Sequence, residues 1–113
     1  MSLQSLTENT ETMELYDRSV KCWIDLTVAS NLGPALGVEA PQHTREATEA
    51  WRQAAIEIGA LLGKDEAAVK ADAGNYYDPI FAASQEAGSN LSEVLGPVMQ
   101  RAAQCEAQFT GKH

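Results

Sequence analysis

The chain has 113 residues, of which 44% are apolar and 6% aromatic, and its formal net charge is −8 at pH 7. This length suits one domain, and the composition predicts an aliphatic, alanine-rich core. The acidic balance argues against binding to nucleic acid, whose phosphates require Lys and Arg, and against an anionic bilayer. We interpret the charge mainly as a means of staying soluble, and a basic protein partner is the alternative. No apolar run approaches the ~20 residues of a membrane-spanning helix.

The start of the chain is polar, and we expect residues 1–9 to form a flexible segment before a single domain that spans residues 10–110. This segment lacks the charged and apolar regions of a signal peptide, so the sequence is either cytosolic or a mature form. Thr7, Asn9 or Thr10 caps a first helix, which Gly33 and Pro34 end. Its apolar face follows helical spacing: Met13, Tyr16, Val20, Trp23 and Thr27, flanked by Leu15, Cys22, Leu26 and Ala29.

Residues 33–41 contain two prolines and two glycines, which predicts a turn-rich connection that folds over one end of the domain. Pro41 or Thr44 then opens a second helix, and Gly63 ends it. Its buried face is predicted from three-and-four spacing: Ala47, Trp51, Ala54, Ala55, Ile58, Leu61 and Leu62. We interpret Trp23 and Trp51 as core anchors.

A third helix begins after Asp65, whose side chain is a good cap for the first turn. Gly74-Asn75 and Asp78-Pro79 interrupt the helical pattern, so we predict two pieces, the second running from Pro79 to Ala87. A single kinked helix is the alternative, since an interior proline removes one hydrogen bond and bends the helix.

The last helix begins after Gly88, and Gly96-Pro97 inside it predicts a kink. No alternating run of β-branched residues is long enough to predict a strand. The whole pattern predicts an all-α, antiparallel, up-and-down four-helix bundle with a broken third helix and a kinked fourth helix.

Two cysteines lie far apart in the sequence, Cys22 in the first helix and Cys105 near the end of the last. In an up-and-down bundle these helices are neighbours, and the helical rise places the cysteines about 10 Å apart in level. A disulfide needs Cα atoms within ~7 Å and would indicate an oxidising compartment such as a bacterial periplasm. The alternative is two buried free thiols in a cytoplasmic protein.

The segments around the cysteines, YDRSVKCW and RAAQCEAQF, resemble in outline those of small helical exported bacterial proteins with one cysteine in the first helix and one in the last. The resemblance rests on spacing at the two ends of the chain. It points to no particular family and assigns no residue roles.

Catalytic and metal-binding constellations are weak. Glu39, His43 and Glu46 lie within two turns, but no other helix carries the matching Glu-x-x-His of a di-metal bundle. Neither cysteine has a histidine or a basic cluster nearby to activate it, and no phosphate-binding or nucleophile motif is present. We therefore expect no enzymatic activity, no metal and no cofactor.

Two adjacent tyrosines precede the Asp-Pro step, and on a helix Tyr76 and Tyr77 point to different faces. We predict that Tyr76, Tyr77 and Asp78 form an interaction patch, with a self-packed hinge as the alternative. The function predicted is a binding or inhibitory module that contacts a protein partner or a second copy. The alternative is a small apolar-ligand-binding bundle, with a pocket near Trp23, Trp51 and Phe81.

Overall fold

The computed structural model describes residues 3–32 and 42–110. Four helices make up this part of the chain, joined in one place by a 3-10 turn: α1 (Leu3–Leu32), α2 (Gln42–Leu61), α3 (Glu66–Ala87), the turn (Gly88–Asn90) and α4 (Leu91–Thr110). The described residues contain no strand, which confirms the all-α four-helix prediction. None of the described helices is both long and apolar enough to cross a bilayer. The predicted fold of segment 33–41 over the bundle end lies outside the described residues.

α1 and α4 run antiparallel, as their cross-links show. Cys22 is bonded to Cys105, whereas Asp25, one turn later in α1, pairs with Arg101, one turn earlier in α4. Movement forward along α1 is therefore movement backward along α4.

α1 and α3 run in the same direction. Tyr16 bonds to Asp72, and Asp25, further along α1, bonds to Tyr76, further along α3. Together with the antiparallel pairing of α1 and α4, this gives the up-and-down order expected from short connections.

α1 begins at Leu3, earlier than the capping positions Thr7, Asn9 and Thr10 predict. Its 30 residues span about 45 Å at the helical rise, which accounts for most of the 53 Å length of the molecule. α2 ends at Leu61, two residues after the Gly59 that meets Tyr16. The first turns of α1 thus extend past the end of α2, and Met13, predicted to be buried, is 60% exposed.

The junction between α2 and α3 follows its sequence signals. Gly63 adopts φ 80°, a conformation that costs glycine little, and it ends α2 as predicted. The Asp65 side chain then accepts a hydrogen bond from the Ala68 amide at 2.8 Å. This N-cap satisfies one of the free amides of the first turn of α3.

α3 is one continuous helix, so the predicted break at Gly74-Asn75 is wrong and the single-helix alternative holds. Pro79 and Pro97 both lie inside helices and both are exposed. An interior proline deletes one backbone hydrogen bond, and packing of the flanking turns holds the helix together across it. α4 is likewise continuous through Gly96-Pro97.

The core has two clusters of buried side chains. The larger one joins all four helices: Tyr16, Val20, Ile24, Val28, Ala55, Val69, Ala73, Leu95 and Val98. The smaller one surrounds the disulfide: Cys22, Leu26, Ala29, Ala47, Trp51, Ala102 and Cys105. Trp23 is partly buried and packs against both clusters, so the two tryptophans anchor the core as predicted.

α2 packs tightly against α1 and α3 at Gly59. A Cβ atom there would lie 2.6 Å from Cγ2 of Val69 and 3.2 Å from the Tyr16 ring. Val69 is fully buried and β-branched, so it cannot rotate away cheaply. Glycine at this position is what lets α1, α2 and α3 meet.

We predict that Gly59→Ala lowers the free energy of unfolding by about 1–3 kcal/mol, because the added methyl overpacks this contact. Gly74→Ala is the matched control: its Cβ would meet nothing within 4 Å, so better helix propensity should stabilise by about 0.5–1 kcal/mol. Urea unfolding of both variants measures the difference, and equal effects would contradict the close approach.

Candidate functional site

The cysteines form a disulfide that joins α1 to α4. Cys22 and Cys105 have Cα atoms 5.6 Å apart and are only 4% and 6% exposed. Trp51 covers this link from α2, and its indole Nε1 donates a 3.2 Å hydrogen bond to the Cys105 carbonyl. Three helices are thereby fixed at one level, and the disulfide is shielded from solvent.

One turn along α1 from the disulfide lies a buried carboxylate. The Asp25 side chain is 2% exposed. Arg101 of α4 donates to it from Nε at 3.0 Å and from Nη2 at 3.2 Å. Tyr76 of α3 donates its hydroxyl to the same carboxylate at 2.9 Å. The Asp25 carboxylate therefore has both a cationic partner and hydrogen-bond donors, which a buried charge requires.

This polar cluster shifts the acid–base behaviour of its members. Burial, and then the hydrogen bond to Asp25, raise the pKa of Tyr76 to about 12. The hydrogen bond to Asp25 also raises the pKa of Arg101. Both groups therefore keep their protons throughout the neutral range and act as permanent donors to Asp25, which suits a structural role better than proton transfer.

A second tyrosine–aspartate pair links the same two helices closer to the start of α1. The Tyr16 hydroxyl donates to Asp72 at 2.5 Å, and Lys64 pairs with Asp72 at 3.1 Å. The hydrogen bond from Tyr16, and more weakly Lys64, lower the pKa of Asp72, whereas burial first raises the pKa of Tyr16. Two tyrosines, one on each helix, thus hold α1 to α3.

The Asp25 cluster was missed by the sequence reasoning. A signal for it exists, because Asp25 is the only charged residue between Cys22 and Ala29. A lone carboxylate in so apolar a run on a helix is expected to be buried and paired. Its partners, Tyr76 and Arg101, lie 51 and 76 residues away, and no local pattern connects them to it.

The predicted patch of Tyr76, Tyr77 and Asp78 divides between two faces of α3. Tyr76 turns inward to Asp25, whereas the partly buried Tyr77 stacks on Phe81 with ring centroids 5.7 Å apart. Asp78 is exposed. Phe81 is 45% exposed, so it does not lie in the core beside the tryptophans: helical spacing places it one turn after Tyr77, which packs at the edge of the core.

We call the side of α3 formed by Gly74, Tyr77, Asp78, Phe81 and Gln85 the outer face. There is open space beside Gly74, because a Cβ added there would meet nothing within 4 Å. The outer face therefore combines an aromatic stack, a neighbouring gap and an exposed carboxylate. Such aromatic side chains, half in contact with water, are typical of protein-binding surfaces.

The described residues of α1 line grooves on its surface. One, of about 320 Å³, lies between α1 and α2 and is lined by Thr27, Ser30, Asn31, Arg45, Thr48 and Glu49. Another, of about 230 Å³, is lined by Tyr16, Asp17, Val20, Lys21, Asp72, Asn75 and Tyr76. Trp23, Trp51 and Phe81 line neither of them, and both are rich in polar side chains.

The predicted constellation of Glu39, His43 and Glu46 falls largely outside the residues whose side chains are described. Among residues 3–32 and 42–110, no group of three or more His, Cys, Asp or Glu side chains is placed to hold a metal ion. At least five acidic side chains of this region take part in ion pairs along or between helices, such as Asp17 with Lys21 at 2.9 Å.

Replacing both cysteines by alanine should lower the free energy of unfolding by about 4 kcal/mol, because the disulfide closes a loop across most of the chain and restricts the unfolded state. Urea unfolding with and without a reductant measures this loss. In reductant, the free energy of unfolding of the wild-type protein should fall to that of the variant. The free energy of unfolding of the variant should be the same with and without reductant. Two reactive thiols in the unfolded, unreduced wild-type protein would contradict the disulfide.

Arg101→Met should lower the free energy of unfolding by about 3 kcal/mol, because it leaves the buried Asp25 carboxylate without its cation. Arg52→Met is the control: Arg52 also contacts a carboxylate at 2.8 Å, but Glu49 is 59% exposed, so the loss should stay below about 1 kcal/mol. Chemical denaturation measures both. Equal losses of stability would show that the burial of Asp25 does not make its ion pair more stabilising than an exposed one.

Comparison with known proteins gives no further constraint on this site: no family model, no curated protein and no solved structure matches the chain. The arguments for a function therefore come from the described side chains themselves. Three features stand out: the disulfide with the neighbouring Asp25 cluster, the outer face of α3, and the polar groove between α1 and α2.

Proposed function

We propose that the protein is a non-enzymatic binding module that acts through protein–protein contact, with the outer face of α3 as its contact surface. The observation that carries the proposal is the stack of Tyr77 on Phe81, with Phe81 45% exposed at the surface of the bundle. A stacked aromatic pair offers a large, rigid apolar area at low entropic cost.

The rigidity of α3 supports this assignment. Tyr76 holds the middle of the helix to Asp25, one residue before Tyr77, so the outer aromatic pair stands on a fixed support. Ordered anchors lose little conformational entropy on binding. Tyr76 thus serves the fold, whereas Phe81, supported by the partly buried Tyr77, is exposed and available for contact.

Charge indicates the kind of partner. Asp78 is exposed beside the stack, and the whole chain carries a net charge of −8. A partner with an apolar centre and a basic rim would be favoured by long-range attraction. The buried disulfide adds that the module works in an oxidising compartment such as a bacterial periplasm, since disulfides rarely persist in the cytosol.

The apolar-ligand-binding bundle stays the alternative prediction. The described grooves do not favour it, because they are lined mainly by polar side chains. A pocket for an apolar ligand is expected to be lined mostly by hydrophobic and aromatic groups. Here the two tryptophans pack into the core clusters.

A photo-crosslinking side chain at Gln85, on the outer face, tests the proposal in the cells that make the protein. It should give discrete protein adducts that the same side chain at Gln100 of α4 does not give. Tyr77→Ala with Phe81→Ala should lower their yield about tenfold or more, because aromatic anchors dominate contact energy. Adducts of two identical chains would mean that the partner is a second copy.

A bulky residue at Gly74 provides a second test that keeps the aromatic pair. Gly74→Gln fills open space on the outer face and should block adducts without lowering the melting temperature. Ala103→Gln is the control, because Ala103 is exposed on α4. If neither the alanine pair nor Gly74→Gln changes the adducts, the outer face is not the contact surface.

A further inference from the structure

The groove between α1 and α2 has hydrogen-bonding groups that the described residues leave unused. It measures about 320 Å³, within the size range of small-ligand sites. We call it the α1–α2 groove. Its described lining residues are those given above, from the last turns of α1 and the first turns of α2, and it lies away from the outer face of α3.

Two threonines on its walls present acceptors. The Thr27 hydroxyl donates its proton to the Trp23 carbonyl at 2.7 Å, and the Thr48 hydroxyl donates its proton to the Thr44 carbonyl at 2.7 Å. Each hydroxyl has one proton and two lone pairs. With the protons engaged inside the helices, only the lone pairs are left for a ligand.

Ser30, in contrast, offers a hydrogen-bond donor. Its hydroxyl oxygen is buried and has no hydrogen-bond partner among the described residues, although it lines the groove. A buried hydroxyl without a partner is costly, and native structures rarely leave one unexplained. Rotation of the Ser30 side chain towards the groove would let a ligand atom accept its proton and remove this cost.

The cation of the groove is Arg45. It is exposed, whereas the other charged lining residue, Glu49, is held by Arg52 at 2.8 Å and by Gln53 at 3.3 Å. Arg52 partly neutralises Glu49 and also lies 3.8 Å from Glu66. Arg45 therefore supplies the positive charge on the groove wall, and a guanidinium pairs well with a carboxylate.

We propose that the α1–α2 groove binds a small carboxylate that carries its own hydrogen-bond donors. The carboxylate pairs with Arg45 and accepts the Ser30 proton, and the hydroxyl or ammonium groups of the ligand donate to the free lone pairs of Thr27 and Thr48. This binding site is independent of the protein contact proposed for α3.

Titration of the full chain, followed by backbone amide NMR shifts, tests the proposal with four probes. Gluconate carries a carboxylate and hydroxyls, and serine carries a carboxylate, an ammonium and a hydroxyl. Acetate supplies the carboxylate alone, and glycerol supplies the hydroxyls alone. Gluconate or serine should shift the amides of Ser30 and Thr48 saturably with a Kd of about 1 mM or tighter, and acetate and glycerol should bind at least about tenfold more weakly.

Two variants separate binding from folding. Ser30→Ala should weaken binding severalfold and yet keep or raise the melting temperature, because it removes an unsatisfied hydroxyl. Arg45→Gln should weaken binding about tenfold or more. Arg18→Gln, the same charge change at an exposed site elsewhere on α1, should leave the affinity unchanged. If gluconate and serine both fail to saturate, if acetate binds as tightly as they do, or if neither groove variant weakens binding, the proposal is overturned.

Discussion

The structure depends on a double link between its first and last helices. Cys22 and Cys105 are separated by 83 residues, and one turn away Asp25 pairs with Arg101. A covalent bond and an ion pair at successive turns fix both the register and the direction of α1 against α4. α2 and α3 lie between α1 and α4 in the sequence, so linking α1 to α4 closes a loop that contains both. With the unfolded chain restricted in this way, α2 and α3 need to bury less apolar surface to stay folded.

α3 shows what that restriction allows. Its first turns are rich in alanine, it contains Gly74 and Pro79, and its local preferences favour a break. It remains one helix because Val69 and Ala73 are buried and because Tyr76 bonds to Asp25. Tertiary packing commonly overrides weak local propensity in this way. The result is one continuous helix in which Tyr77 packs at the edge of the core and supports the exposed Phe81.

The polar groups divide into those that serve the fold and those that remain available. The carboxylates of Asp25 and Asp72 are both held by tyrosine hydroxyls from a neighbouring helix, so they hold the helices together. Ser30, in the last turns of α1, and Arg45, in the first turns of α2, line a groove whose hydrogen-bonding capacity is not used up by the described residues. In a bundle this small, a surface with unused capacity of this kind is where recognition of a ligand is expected.

The sequence by itself determined the helical class, the cap at Asp65, the turn at Gly63 and the core positions of Trp23 and Trp51. These depend on side-chain periodicity and on backbone preferences within a few residues. It left the redox state of the cysteines open, because the error in helix ends is as large as the distance that a disulfide tolerates. Only the tertiary structure decided that Cys22 meets Cys105, that Asp25 collects Tyr76 and Arg101, and that Phe81 faces outward. Those outcomes depend on how one helix is rotated and shifted along its axis relative to another. Side chains far apart in the chain determine this together.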